Sequence, residues 1–455
     1  MAEPGKSKRP SPGKKAPEPD FSPFRDWLVD GPAGKWPKPW EVKKALSPKQ
    51  KRIVARNAAL LLDRDAWLKK VQAFEAALSA LADEAKQKAK RAEYCIRFDG
   101  HNFSDGAKDF SDYRFPCTVL FNCCKFGDVS FRWAKFSDGD VSFERAKFGD
   151  GKVHFDGAIF GNCDVSFNRA EFGTGEFSLT RTQFGIGPVS FWKSDRISKS
   201  ISASGMSVAG DLYVEADFSE AVDFSRLDVK GTARFSGSSF AKVPDFTGAK
   251  FDRPPEVAGM VVPRPKLEGR SQLAADRNDV AKFRKLKAMA LAANDHERDG
   301  EFFAGEMLAK RGTETTSAVG LLFNTVYWKI SDFGQSFTLP LWLLFGSFLA
   351  FAFANFVVLQ SGISATSVTS AARVDAFVFS AFLSLKNSVP LLGSLFRFAQ
   401  APEKHKSWFQ TYYDTLLGHQ STVDWLIGLG VAQNILGGVL LFLFLLALRN
   451  KFRLK

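Results

Sequence analysis

Phenylalanine recurs at nearly fixed intervals from about residue 97 to residue 252, and polar or turn-forming residues fill the gaps. Successive Phe are mostly five or seven residues apart, and the most regular run comprises Phe131, Phe136, Phe143, Phe148, Phe155, Phe160, Phe167 and Phe172. The chain holds 46 Phe but only 6 Tyr, so one particular side chain is being used. A period this short and this persistent indicates a repeat architecture.

A small or β-branched residue stands two positions before most of these Phe, as in Ala134/Phe136 and Val141/Phe143. A spacing of two puts both side chains on the same side of an extended strand. A helix would scatter steps of five around its whole circumference, and antiparallel strands this short leave no room for hairpin turns. The pattern therefore predicts a four-sided coil with Phe facing its axis and neighbouring coils ~4.8 Å apart.

This stretch resembles the pentapeptide-repeat family, whose unit is a small residue two positions before a bulky apolar one. The resemblance implies a right-handed quadrilateral β-solenoid over residues 97–252. This chain departs from the family in using Phe where Leu is common, and in its many steps of seven, which carry Val. We expect those longer steps to bulge at corners such as Asp138-Gly139 or Gly149-Asp150-Gly151. Residues 192–217 are the least regular part, and the side chains expected to replace Phe there are Ile197, Val208, Leu212 and Val214.

The residues before the solenoid divide into a basic arm and a helix. Residues 1–46 are rich in Pro, Lys and Gly and predict a disordered arm that is either solvated or in contact with anionic lipid or nucleic acid. Ser47 and Pro48 predict a helix start, and the pattern extends to about Arg91. The expected apolar stripe comprises Trp67, Val71, Phe74, Leu78 and Leu81. Residues 47–96 would then cap the open solenoid edge or, alternatively, form a coiled coil.

The segment 253–337 predicts a linker and a helical hairpin. The repeat should end at Pro254-Pro255, where two adjacent prolines interrupt it. Apolar spacing then favours helices over about 272–293 and 296–311. We expect this hairpin to cover the C-terminal edge of the solenoid and to join it to the region that follows.

Residues 338–455 predict a membrane region. Two uncharged apolar stretches, about 338–359 and 425–448, are long enough to cross a bilayer. The second ends in basic residues, which favours the cytoplasmic side. This predicts a multi-pass protein of the inner (plasma) membrane with the solenoid and both termini in the cytoplasm. The apolar but interrupted stretch 374–395 suits a re-entrant helix.

A span, a re-entrant helix and a second span form a layout similar to channel-type pore domains. The filter sequence of potassium channels is absent, and Lys386-Asn387 and the residues after them stand in its place. Gly430, Asn434 and Gly438 share one face of the second span, either for close helix packing or as a polar pore stripe. The candidate pore residues are Lys386, Asn387 and Asn434.

The distribution of charge along the chain and its sequence motifs limit the candidate functions. The net charge of +13 lies in the N-terminal arm and the C-terminal region, because residues 97–252 carry 19 basic and 22 acidic side chains. The solenoid therefore lacks the strongly acidic face of a DNA mimic, and nucleic acid is an improbable partner. Five Cys and five His show no metal-ligand spacing, and no catalytic or cofactor motif is present. We expect no enzyme and no cofactor, but either a membrane-anchored scaffold for an unknown protein partner or a homo-oligomeric pore.

Overall fold

The computed structural model describes residues 18–28, 36–38, 41, 46–197, 200–363, 370–388 and 420–452. The chain divides into two compact units: one comprises Met1–Pro265 with Ala281–Arg298, and the other comprises Lys266–Val280 with Asp299–Lys455. Most of the expected disordered arm lies outside the described residues. A short 3-10 helix, Ser22–Trp27, is described within it.

The first unit is built on a β-solenoid of about seven coils, with four parallel sheets as its faces. The strands of face 1 are Cys95–Arg97, Thr118–Leu120, Val141–Ser142, Val165–Ser166, Val189–Ile197, Leu212–Phe218 and Ala233–Arg234. Those of face 2 are Asn102–Phe103, Lys125–Phe126, Lys147–Phe148 and Glu171–Phe172, and Ser239–Phe240 pairs with the end of Leu212–Phe218. Face 3 contains Lys108–Asp109, Val129–Ser130, Val153–His154, Glu176–Ser178, Ser200–Ser202 and Val222–Asp223. Face 4 contains Arg114–Phe115, Lys135–Phe136, Ile159–Phe160, Gln183–Phe184, Ser207–Val208, Asp228–Val229 and Lys250–Phe251.

Phenylalanine rings fill the axis of the coil in columns. On face 4 the ring centroids of Phe136 and Phe160 lie 4.5 Å apart and nearly parallel, and Phe143 and Phe167 stack at 5.0 Å beside face 1. These separations match the spacing of hydrogen-bonded strands, because each ring rests on its counterpart one coil away. The structure buries all eight residues of the regular run, namely Phe131, Phe136, Phe143, Phe148, Phe155, Phe160, Phe167 and Phe172.

The corners explain why the chain can turn so often. At the narrow corners the second residue after Phe is left-handed, as at Trp133 (φ 59°), and the amide of Ala134 donates to Phe131 O. At the wide corners a carboxylate bridges coils, since Asp138 accepts from an amide 24 residues further along the chain. Gly139 sits where a Cβ would lie 2.2 Å from the Thr118 amide nitrogen. The longer steps therefore bulge at the Asp-Gly corners that the sequence indicated.

The irregular part of the repeat keeps the same architecture. Ile197, Val208, Leu212 and Val214 are all buried, and Val208 pairs with Phe184 in the column of face 4. The expected end at Pro254-Pro255 was wrong, because Glu256 pairs with Arg234 and Val261 with Ser239 in a further partial coil. The prolines are tolerated because the amides that join this coil to the sheets belong to residues such as Glu256 and Val261, which follow them.

Three α-helices lie within residues 47–96, where the sequence predicted one. They are α1 (Pro48–Leu62), α2 (Arg64–Ser79) and α3 (Glu84–Glu93). The start at Ser47 is confirmed, since its hydroxyl accepts from the amide of Gln50 in a capping box. Asp63 and Asp83 divide the single predicted helix into three, because each carboxylate caps the helix that follows it. Leu81 lies between helices, and residues 47–96 contain no continuous helix for a long coiled coil.

These helices cover the first coil of the solenoid. The indole of Trp67 donates to Arg114 O (3.1 Å), and the Asn57 amide donates to Arg97 O (3.2 Å). The hydroxyl of Tyr113 in turn donates to Leu61 O. Carbonyls of the first coil therefore have partners in the helices that cover it, as the cap hypothesis expected.

The predicted helical hairpin begins later than expected. Its helices are α4 (Asp279–Ala292) and α5 (His296–Ala309). Residues from 266 onward form a small antiparallel hairpin, Leu267–Glu268 with Leu273–Ala274, whose turn uses left-handed Gly269. The α4 side chain Lys285 donates to Ala249 O in a late coil (2.6 Å). Desolvation there lowers the pKa of Lys285.

Among the residues that the structure describes, the second unit contains four further helices: α6 (Ala318–Ser331), α7 (Thr338–Ile363), α8 (Ser370–Ser388) and α9 (Gln420–Phe452). Helices α7 and α9 contain the two predicted spans. Ala304 and Leu308 of α5 pack against Phe333 in the turn between α6 and α7, and all three are buried.

Candidate functional site

Two of the described helices are long and apolar enough to cross a membrane: 23 residues of α7 and 27 residues of α9 qualify. Their most apolar stretches are only 6% and 28% buried inside the protein. A core helix of a soluble protein would be mostly buried. Helices α7 and α9 therefore expose more apolar surface than is usual for a protein in water. Phe353 and Ile435 are among the outward side chains, with 69% and 66% exposure.

Helix α8 returns along α7, and its last described residues lie near the middle of both long helices. The ring of Phe377 meets Phe356, and seven residues later the Ser384 hydroxyl donates to Phe348 O (2.7 Å). The final carbonyl of α8, at Ser388, lies 2.4 Å from where a Cβ of Gly437 would stand. Phe348 and Gly437 are central in the two apolar stretches. Ser388 of α8 therefore lies at mid-length of the long helices.

A buried amide joins α8 to α9 at this level. The side-chain amide of Gln433, which is fully buried, donates to Ser384 O, Ser384 Oγ and Ser388 Oγ at 2.7–2.8 Å. Among the residues that the structure describes, its oxygen has no hydrogen-bond partner. Asn355 of α7 is also fully buried, and neither of its amide atoms is paired within the same set. Polar groups in apolar surroundings of this kind mark functional or packing positions.

The three candidate pore residues lie close to this polar cluster. Lys386 is exposed on α8, and the adjacent Asn387 oxygen is 3.5 Å from the Asn434 amide nitrogen. A Cβ on Gly430 would lie 2.9 Å from the Asn387 amide, so Gly430 is a close packing position. The structure thus brings Asn387 and Asn434 together and leaves Lys386 on the surface. Residues 389–395 of the proposed re-entrant stretch lie outside the described residues.

Sequence reasoning missed the residues that hold α8 against α9. Gln433 and Gly437 face α8 together with Gly430, whereas the predicted face comprised Gly430, Asn434 and Gly438. The spacings of three and four between Gly430, Gln433 and Gly437 follow one helical face, so they could have been found by scanning for small and amide residues. Asn355 gave a weaker signal, as one amide in a long apolar run.

The solenoid surface carries an exposed apolar spot at Trp133. Trp133 is 56% exposed at a narrow corner, and its ring lies where a Cβ of Gly157 would stand in the next coil. Ile159 lies on face 4, two residues after Gly157, and pairs with Lys135 of the neighbouring coil. Beside the indole, Arg132 forms a 3.0 Å ion pair with Asp156. An exposed Trp beside Arg is a composition enriched at protein–protein contacts.

The five cysteines all lie among the described residues, are buried in the solenoid and form no disulfide bonds. Burial raises the pKa of Cys95 and of Cys163 to about 12, so both thiols are unreactive near neutral pH. No group of His, Cys, Asp and Glu suited to a metal ion occurs in the described part of the chain.

No protein-family model matches this chain, and neither a curated protein nor a solved structure similar to it was found. The parallel coil and its stacked Phe columns are consistent with pentapeptide repeats.

Proposed function

We propose that this chain is a membrane-anchored protein of pentapeptide-repeat type, whose solenoid is an interaction scaffold without catalytic activity. The observation that carries the proposal is the combination of a Phe-filled axis with two outward-facing apolar helices. A filled axis leaves only the outer faces for binding. Apolar helices with so little internal burial are suited to lipid.

The proposed location is the inner (plasma) membrane, with the solenoid on the cytoplasmic side. Arg449 and Lys451 end α9, and basic residues next to a span are retained in the cytoplasm. Two complete spans return the chain to the side from which it entered. Both termini would therefore be cytoplasmic.

The proposed docking surface for a protein partner is the spot formed by Trp133, Ile159 and Arg132. Trp and Arg dominate the energy of many protein contacts, and this Trp already rests on a neighbouring coil. Its ordering cost on binding would therefore be small. Nucleic acid is not assigned as a partner.

The scaffold proposal is tested by removing the indole while keeping the corner. Trp133→Gly should preserve the backbone, because glycine adopts the left-handed conformation without strain. A photo-crosslinking amino acid at Ile159 should trap a second protein in cells, and Trp133→Gly should abolish that product. A crosslinker at Lys125 on face 2 is the matched control. Equal trapping at both positions, or trapping that survives Trp133→Gly, would contradict the scaffold.

A homo-oligomeric pore is the second candidate, and the position of Lys386 favours it. This exposed lysine lies near mid-length of both long helices, where facing lipid would cost ~2.5–3.5 kcal/mol. An aqueous lining shared between copies would remove that cost, and the Asn387–Asn434 pair would supply further polar surface.

The pore is tested by reversing the charge of Lys386. A ring of lysines favours anions, so the reconstituted protein should conduct anions, and Lys386→Glu should move its reversal potential toward cations. Lys135→Glu on the solenoid is the matched control and should leave selectivity unchanged. A monomeric mass in detergent, or a bilayer without conductance, would remove this candidate.

A further inference from the structure

Helix α6 is amphipathic with its polar side turned inward. Arg311 is 3% exposed, and its guanidinium donates to Asn324 Oδ1 (2.8 Å) and Thr325 Oγ1 (3.0 Å). The Asn324 amide donates onward to Met307 O. Desolvation lowers the pKa of Arg311. Its Nη1 donates to the two α6 side chains, and its Nε and Nη2 donate to Gln272 O and Ser271 O. The polar face of α6 therefore packs against other residues of the second unit.

The apolar side of α6 faces outward as a single stripe. Val319, Leu322, Phe323 and Val326 are 63%, 61%, 69% and 39% exposed. Their spacing of i, i+3, i+4 and i+7 defines one helix face. A helix surrounded by water would place this face inward, so a nonpolar medium must cover it.

The turn after α6 fixes where this face lies relative to the long helices. Asp332, Phe333 and Gly334 are consecutive left-handed residues, and Phe333 is fully buried. The Asn450 side chain donates to Gly334 O (3.3 Å), which joins the turn to the end of α9. The C-terminal end of α6 therefore lies at the level where the apolar stretch of α9 stops.

The residues at that level are those of a membrane surface. Arg449 follows the apolar stretch of α9, and Lys329 is exposed at the end of α6, with its ammonium over the Trp328 ring. Trp342 is 67% exposed in the first turns of α7. Cations bind lipid phosphates, and Trp is enriched at the boundary between headgroups and acyl chains.

We propose that α6 lies in the plane of the bilayer surface as an interfacial helix. Its apolar stripe would enter the boundary of headgroups and acyl chains, while Lys329 would face lipid phosphates. The partner is thus an anionic phospholipid surface. This inference rests on the proposed anchoring by α7 and α9. It adds an interfacial segment to the membrane contacts of the second unit.

The test places a fluorescent label at three depths. Phe323→Cys, Phe353→Cys and Lys135→Cys would each carry an environment-sensitive fluorophore in the full chain, reconstituted into vesicles containing phosphatidylglycerol. The native thiols are buried and should not react with the fluorophore. Wild type treated with the same fluorophore measures any background labelling. Spin labels would be placed on the lipids either near the glycerol or near the chain ends.

The label at Phe323 should be quenched roughly twofold more by the shallow spin label than by the deep one, because an interfacial helix is buried only ~5–10 Å. The label at Phe353 should show the opposite order, and that at Lys135 no quenching. Quenching at Phe353 without quenching at Phe323 would overturn the interfacial helix while leaving the anchor intact. No quenching at Phe353 would instead contradict the anchor. A blue-shifted but unquenched Phe323 label would identify a second copy as the cover, which also overturns the proposal.

Discussion

Arginine at both Leu349 and Phe353 is expected to release the chain from membranes. These side chains point out of the second unit, with 52% and 69% exposure, so the double substitution leaves the packing of the helices intact. In a bilayer both positions lie near the centre of the first span, where each arginine costs ~2.5–3.5 kcal/mol. Alkaline carbonate extraction measures the result. Wild type should stay with the membrane pellet, and the double variant should appear in the supernatant.

Ile186→Arg is the control for this experiment. Ile186 is 70% exposed on the solenoid, so the same chemical change there should not alter the pellet fraction. A double variant that stays in the pellet as firmly as wild type would contradict an anchor that requires α7 in addition to α9.

Phe143→Ala should lower the free energy of unfolding of the solenoid by ~3–5 kcal/mol. The ring is fully buried and stacks on Phe121 and Phe167, each with centroids 5.0 Å away. Its loss would leave a cavity in the column and interrupt stacking between coils. Guanidinium unfolding in detergent, followed by far-UV circular dichroism, measures the change.

Ile186→Ala provides the comparison for that measurement. It also truncates a large apolar side chain of the solenoid, but an exposed one, so a change of less than ~0.5 kcal/mol is expected. Equal midpoints for Phe143→Ala and Ile186→Ala would contradict a core made of stacked Phe.

The four-sided coil could be predicted from sequence because its rule is local. The same local pattern specifies every coil: a Phe every five or seven residues, with a small residue two positions before it. Val208 and Leu212 could be placed for the same reason, since position in the period fixes orientation even when the side chain changes. The end at Pro254-Pro255 was misjudged because proline penalises only positions that must donate to a sheet, and the coil places the following residues there.

The helical regions were less predictable, because their breaks and contacts depend on tertiary structure. The apolar stripe from Trp67 to Leu78 was correct, but Asp63 and Asp83 acted as caps and divided one expected helix into three. The polar cluster at Gln433 was missed because its partners, Ser384 and Ser388, are about 45 residues away in the sequence. Asn387 and Asn434 were found through their rarity in apolar stretches, and the structure brings them together.

The helices at the ends of the solenoid have a consequence for self-association. A column of parallel strands is a template on which further chains could add without limit, as in amyloid. Here Trp67 and Asn57 occupy carbonyls at the first coil, and Lys285 of α4 occupies one at a late coil. Because helices cover both ends of the solenoid, no further strand can add to it. Many copies could therefore share a crowded membrane without forming fibres.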